Sequence, residues 1–274
     1  MVDEARRIPV RDGAHGERFA INIPVRDGKY LDGLMRKQEG NGPFPAVILV
    51  SGLGMTMHEW NNSFDEISNR LVNDGILTLQ FTFSIFYPDG SCRELPLDKR
   101  AAEFTDVLSW ITKRQGVDTH RVGILAQSFG VPTVLCTDLT TVKSLVFVGG
   151  AYDPYTSISK VYKELGTMIN YQGDTTLPRS SGENTTVGKE FWKSLASYDD
   201  IVQVKRIHQS AYMIHGDHDT KIPVSDAQKV FDAILNKNKK LKIFKGGDHG
   251  ITDVPRPMRE EFLRDVAEWF RKTL

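Results

Sequence analysis

The chain has 274 residues, 40% apolar and 26% charged, an ordinary globular balance for one α/β domain carrying an insertion. Lysine plus arginine equals aspartate plus glutamate, 35 against 35, which leaves no net field to draw the protein to nucleic acid or an anionic membrane, so a small neutral substrate fits better. Cys92 and Cys136 are too few for a disulfide framework or a cysteine zinc site, and the charged start with no apolar run of membrane-spanning length points to a soluble, cytoplasmic protein.

Residues 18–25 and 30–36 nearly alternate apolar and polar side chains around Arg26-Asp27-Gly28-Lys29, which predicts an antiparallel hairpin at a sheet edge. A Gly- and Pro-rich loop leads to Ala46-Val47-Ile48-Leu49-Val50, an apolar run that suits a strand covered on both faces, ending in Ser51-Gly52-Leu53-Gly54. Phe64, Ile67 and Leu71 recur at helical spacing until Asn73-Asp74-Gly75 stops the helix, and residues 76–83 predict another strand. Ala101, Phe104, Val107, Leu108 and Ile111 mark one face of a longer helix. After further strands at residues 122–125 and 142–148, the same alternation resumes with a strand at 211–214, a helix face at Ala227, Val230, Phe231 and Ile234, a strand at 241–244 and a helix over about 256–272. This order implies a mostly parallel, doubly covered sheet with right-handed crossovers. Residues 152–206 break the rhythm with aromatic-rich pieces around a polar stretch at 172–186, and are read as a cap over the carboxyl ends of the strands; residues 1–151 and 207–274 then form the core. The lysine-rich run 236–240 reads as a solvated turn.

Between the strand at 122–125 and a helix beginning at 131, Ala126-Gln127-Ser128-Phe129-Gly130 must turn sharply, with the serine at its apex. Such a reversal strains the apex backbone, and small neighbours two positions away on either side keep strand and helix from colliding. The usual form of this elbow has Gly at both places; here the first is Ala126. Ser128 would stand at a helix N-terminus, where amide groups and the helix dipole stabilise a developing oxyanion. On the pentapeptide alone, a serine that merely caps the helix is an equal reading.

Partners for a nucleophile belong in loops beyond strand ends. His215-Gly216-Asp217-His218-Asp219 follows one strand, offering Asp217 or Asp219, and Gly246-Gly247-Asp248-His249-Gly250 follows the next. The order Ser, Asp, His is the one this elbow calls for. A free hydroxyl is a weak nucleophile near neutral pH, so Ser128 needs His249 as base, and a carboxylate must hold the imidazole tautomer.

With these residues the chain resembles the α/β-hydrolase superfamily, from the first hairpin to the last helix. The family's acid motif, His-Gly, two residues, Asp and a Pro four further on, is matched by His215, Gly216, Asp219 and Pro223, which selects Asp219 over Asp217. The resemblance also implies an oxyanion hole of two backbone amides, that of Phe129 after the nucleophile and that of Leu53, although Ser51-Gly52 stands where the family commonly has His-Gly. Within the superfamily the chain is similar to feruloyl (cinnamoyl) esterases and related small carboxylesterases, whose cap lies between the same two strands. It departs from them after Phe83, where Ser84-Ile85-Phe86-Tyr87-Pro88-Asp89 replaces their Arg- and Gly-rich loop.

Met55, Trp60, Phe86, Tyr87, Tyr152 and Trp192, with Met57, Tyr155 and Tyr162, can form an aromatic pocket for substrate or simply pack the cap onto the core. His215, Asp217, His218, Asp219 and Asp248 imitate a metal cluster, but a dizinc hydrolase needs a further His-x-His upstream, which the sequence lacks, so neither metal nor cofactor is expected. The expectation is a serine hydrolase cleaving carboxylic esters, aryl, hydroxycinnamoyl or short acyl, with a small ester as partner and room for a homodimer. A thioesterase, an acylaminoacyl-type peptidase and a non-catalytic binding protein on the same fold are the alternatives.

Overall fold

The computed structural model describes residues 6–8, 16–179 and 183–274. Of the charged start read above, residues 1–5 lie outside the described residues, as do residues 180–182 of the polar stretch.

The chain opens with β1 (Arg6–Ile8), β2 (Glu17–Pro24) and β3 (Tyr30–Lys37), antiparallel to one another. Then follow β4 (Phe44–Val50), a single 3-10 turn (Trp60–Asn62), α1 (Ser63–Asn73), β5 (Leu77–Phe81), α2 (Leu97–Ile111), β6 (Val117–Gln127), α3 (Gly130–Leu135) and β7 (Ser144–Val148). The segment between β7 and the next strand of the main sheet holds α4 (Pro154–Glu164), β8 (Thr175–Pro178), β9 (Asn184–Val187), α5 (Lys189–Ala196) and α6 (Asp200–Val204), and is the insert of the sequence reading. The chain closes with β10 (Ser210–Gly216), α7 (Val224–Ala233), β11 (Lys239–Phe244) and α8 (Arg256–Thr273).

The main sheet runs β1-β2-β3-β5-β4-β6-β7-β10-β11, parallel from β5 onward. Its central strands are apolar on both faces because each face is covered. In β4, Ala46, Ile48 and Val50 join the core beneath α2, α3 and α7, whereas Val47 and Leu49 join the core beneath α1 and α8. From β4 the chain steps outward to β5 and then back across to β6. The loops after β4 and β6 therefore flank the point where strand order reverses, the usual crevice for a ligand in such sheets.

The insert starts and ends on capped helices, with Asp153 accepting from the Thr156 amide and Asp199 from the Val202 amide, both at 3.0 Å. Its own apolar cluster brings Ile158, Leu177, Phe191, Trp192 and Leu195 together with Leu97 and Phe129, and Leu53 packs against the cluster. The hairpin β8–β9 is seated on the aromatic loop after β5: the Thr186 amide donates to Cys92 O (2.8 Å) and the Glu94 amide to Thr186 O (2.9 Å). The segment that follows the replacement loop noted in the sequence thus carries this hairpin.

Several boundaries differ from expectation. β1 adds an outer strand beyond the hairpin, β5 ends at Phe81, and β6 starts at Val117, five residues before its apolar run. In the run 236–240, Lys239 and Lys240 belong to β11 rather than to a turn, and the Lys239 ammonium donates to Phe231 O (2.6 Å) and Ile234 O (2.8 Å), closing the end of α7. Both cysteines are free thiols. Among the described residues, no helix is long and apolar enough to cross a membrane.

Candidate active site

Ser128 sits between β6 and α3 with φ +53°, left-handed backbone that serine rarely adopts. It is pinned by its neighbours: its amide donates to Val148 O (3.0 Å), and its carbonyl accepts from Val131 N and Ala151 N, both at 3.1 Å. Gly130 is obligatory here, because a Cβ would collide with Val50 O at the end of β4. A strained, half-buried serine held between the end of β7 and the first turn of α3 is a candidate functional position.

His249 lies in the loop after β11, beside the end of β7: a Cβ on Gly149 would strike the His249 carbonyl and stand 3.2 Å from its Nδ1. Its loop is also strained, since Ile251 has φ +52°. Asp248 holds that turn by accepting from the Thr252 amide (2.7 Å), and the buried Arg259 of α8 donates to Ile251 O (3.0 Å).

The His249 Nδ1 meets Asp219 Oδ2 at 2.7 Å, and the Asp219 side chain is fully buried. A carboxylate only accepts, so Nδ1 carries the proton and Nε2 is left as the bare base. Asp219 Oδ1 accepts from the amides of Lys221 (2.8 Å) and Ile222 (2.9 Å). Burial opposes the Asp219 charge, yet the bond from His249, the Ile222 amide and the nearby His215 hold its carboxyl below the ordinary carboxylate range. Asp217 has a different task, accepting from Gly246 N (2.5 Å) at the turn after β11.

His215 adds a support that the sequence showed only as part of a motif. Its Nε2 lies 2.9 Å from Ile222 O and 3.3 Å from Asp219 Oδ2. Because a carbonyl can only accept, Nε2 bears the proton, and Nδ1 has no partner among the described residues. Burial pushes the His215 pKa down, against the opposing pull of the Ile222 carbonyl and the Asp219 charge.

The turn after β4 lies against the serine: a Cβ on Gly52 would stand 3.3 Å from Ser128 Cβ. Among the described residues, the amides of Leu53 and Phe129 have no protein acceptor, whereas those of Gly52 and Gly54 are taken by Glu59 (2.7 Å) and Glu94 (2.8 Å). The two expected oxyanion donors are therefore the uncommitted ones.

The six aromatic and methionine candidates do not form one surface. Tyr152 is packed in the main core, and Trp192 sits in the insert's cluster edge-on to Tyr155 and Tyr171. Trp60 donates to Asp253 at 2.8 Å, Phe86 faces the Arg179 guanidinium, and Tyr87 is exposed. Met55, partly buried, lies on the turn itself, where its carbonyl accepts from Ser51 Oγ at 3.5 Å. Among the described residues no group of His, Cys, Asp and Glu side chains has the spacing of a metal site.

Three charged residues in the site escaped the sequence. Glu59 has φ +58°, as unusual as Ser128, and its carboxylate is buried against Gly52 N near His249 and Arg100. Desolvation raises its pKa despite the amides of Gly52 and Trp60 and the nearby Arg100 guanidinium. An acid whose folded pKa exceeds its unfolded one binds more protons when folded, so its contribution to stability declines as pH rises through that interval. Glu59→Gln, which keeps an acceptor for Gly52 N, is therefore expected to raise the unfolding temperature more at pH ~8 than at pH ~4. A gain confined to the acid side, read by differential scanning fluorimetry, would contradict this. Glu94 and Arg100 are the other two. Arg100 falls on the buried stripe of α2 between Leu97 and Phe104, and a charge on such a stripe was the available signal.

The sheet, elbow and strand-end loops define an α/β-hydrolase. Residues 91–274 match the prolyl oligopeptidase family, and the chain belongs to it. Over 88% of its length the chain is 26% identical to 2,6-dihydropseudooxynicotine hydrolase of Paenarthrobacter nicotinovorans, of which it spans 63%. A 76-residue stretch is 34% identical to the non-heme chloroperoxidase CPO-A1 of Kitasatospora aureofaciens, covering 27% of each chain. The chain thus spans less than two thirds of either curated relative. Among solved structures, Est1E of Butyrivibrio proteoclasticus bound to ferulic acid matches with a TM-score of 0.75 at 19% identity, over 93% of this chain and 99% of that one. A dienelactone hydrolase of Anabaena variabilis matches with a TM-score of 0.64 at 14% identity, over 94% and 98%. At these identities the likeness is one of fold.

Proposed function

We propose that the chain is a serine hydrolase of carboxylic esters, aryl, hydroxycinnamoyl or short acyl, working through an acyl-enzyme. The observation that carries this reading is the 2.7 Å bond from His249 Nδ1 to the buried Asp219, together with the strained backbone of Ser128 at the end of β6. In the proposed cycle His249 Nε2 takes the Ser128 proton as Oγ attacks the carbonyl carbon, and Leu53 and Phe129 amides hold the oxyanion. The alcohol leaves with that proton, and water then repeats the sequence on the acyl-enzyme.

In this reading residues 152–206 act as the cap, with residues 1–151 and 207–274 as the core. Support comes from the insert's packing on Phe129 and Leu53, the two residues that supply the donors. Replacing residues 172–186 by a short Gly-Ser linker should then lower kcat/KM for a hydroxycinnamoyl ester more than for p-nitrophenyl acetate, because remote binding matters most for the larger substrate. An unchanged ratio in a folded variant would mean that specificity is set elsewhere.

A second reading, a peptidase of the acylaminoacyl type, is favoured by the family match over residues 91–274. Comparing kcat/KM for hydroxycinnamoyl, p-nitrophenyl, thioester and acylaminoacyl-anilide substrates separates them. The ester reading expects oxygen esters to lead; an anilide or thioester in first place would replace it.

A further inference from the structure

Two charges that the proposed reaction does not use lie beneath the turn after β4. Arg100 and Glu94 expose no side-chain surface and pair at 2.7 Å. Arg100 Nη2 donates to Ser51 O (2.5 Å) and Gly52 O (2.9 Å), and Glu94 Oε2 accepts from Gly54 N (2.8 Å). The carbonyls before Leu53 and the amide after it are thereby fixed, while the Leu53 amide itself stays free. The same guanidinium reaches the other half of the site: its Nε donates to Thr133 Oγ1 (3.0 Å), whose hydroxyl donates to Phe129 O (2.9 Å). It also lies over the rings of Phe83 and Phe129, 3.9 and 5.2 Å from their centroids.

We infer that the Arg100–Glu94 pair is the positioning device of the oxyanion hole, setting the separation and aim of the Leu53 and Phe129 amides. The inference rests on the reading of Ser128 as nucleophile. A buried ion pair adds little net stability over an apolar pair of similar volume, so stability alone does not account for it. Donors aimed at a developing charge, by contrast, act only if they are held rigidly in place. One planar guanidinium can serve four acceptors at once, on the turn after β4, the segment before α2 and α3 itself; an ammonium is a single point and cannot span them.

The test uses Arg100→Lys and the double variant Arg100→Met/Glu94→Met, which leaves no buried charge unpaired. Two readouts are taken: the rate at which a fluorophosphonate labels Ser128, and kcat for p-nitrophenyl acetate against its thiono analogue, whose larger sulfur fits an oxygen-sized hole poorly. In the folded double variant, labelling and kcat should fall on the order of 10²-fold, with KM little changed and the preference for oxygen over sulfur largely lost. Arg100→Lys should fall at least about tenfold in the same way, and it decides the matter if the double variant does not fold. A purely structural pair would change the melting temperature and the amount of folded protein but not the oxygen-to-sulfur ratio. Labelling, kcat and that ratio all within about threefold of wild type in a folded variant would overturn the inference. Wild-type labelling at Ser128 without ester turnover would overturn the ester reading while leaving the labelling arm to judge the pair. Absence of wild-type labelling at Ser128 would overturn both.

Discussion

On the proposed mechanism, Ser128→Ala is expected to lose nearly all hydrolase activity, on the order of 10⁶-fold in kcat, with KM changed little. The loss should be this large because His249 and Asp219 act only through the serine oxygen; without it, the base has no nucleophile to activate. The residual rate should be that of water attack assisted by the two amides, and the fold should survive. Alanine removes one half-buried oxygen and keeps the Cβ that faces Gly52. The backbone bonds to Val148, Val131 and Ala151 do not involve the side chain. Purified variant with a wild-type melting curve and wild-type turnover would show that the chemistry lies elsewhere.

Asp219→Asn is expected to lower kcat on the order of 10⁴-fold, while Asp217→Asn should stay within about tenfold of wild type. The amide of an asparagine presented to His249 would favour the tautomer with its proton on Nε2, which cannot accept from Ser128. A 10⁴-fold loss corresponds to about 5.5 kcal/mol of transition-state stabilisation, more than the loss of an ordinary hydrogen bond at Asp217 explains. Asp217 bonds Gly246 N and is partly exposed, so its replacement should register as a modest loss of stability. Steady-state kinetics on the two variants gives the ranking, and a reversed order would contradict the pairing seen at 2.7 Å.

The fold was legible wherever burial follows a period. β4, β7 and β10 are continuous apolar runs, and the buried faces of α1, α2 and α8 recur at helical spacing. The ends were less legible, because they depend on neighbours: β6 extends back through polar residues to Val117, which pairs with Phe44 at the start of β4. The elbow, acid motif and histidine loop could be read because each is a local signature at a strand end. Glu94 and Arg100 take their meaning from a turn some forty residues or more away in sequence, with only the charge on the buried stripe of α2 as a signal, and Glu59 from a backbone turn that no local motif announces. The aromatic pocket was the weakest expectation: aromatic composition does not say whether a ring faces substrate, the core or solvent, and Tyr152, Trp192 and Tyr87 went to three different surroundings.

The central claim, that Ser128 carries the acyl group during turnover, is tested most directly by trapping it. The wild-type protein is mixed with a slowly deacylating p-nitrophenyl ester, quenched in acid within the burst, digested and analysed by mass spectrometry. The account predicts one acyl group per chain, on the peptide containing Ser128 and absent from Ser128→Ala. Turnover of the ester with no acyl group on Ser128, or with acylation of another residue that persists in Ser128→Ala, would contradict it.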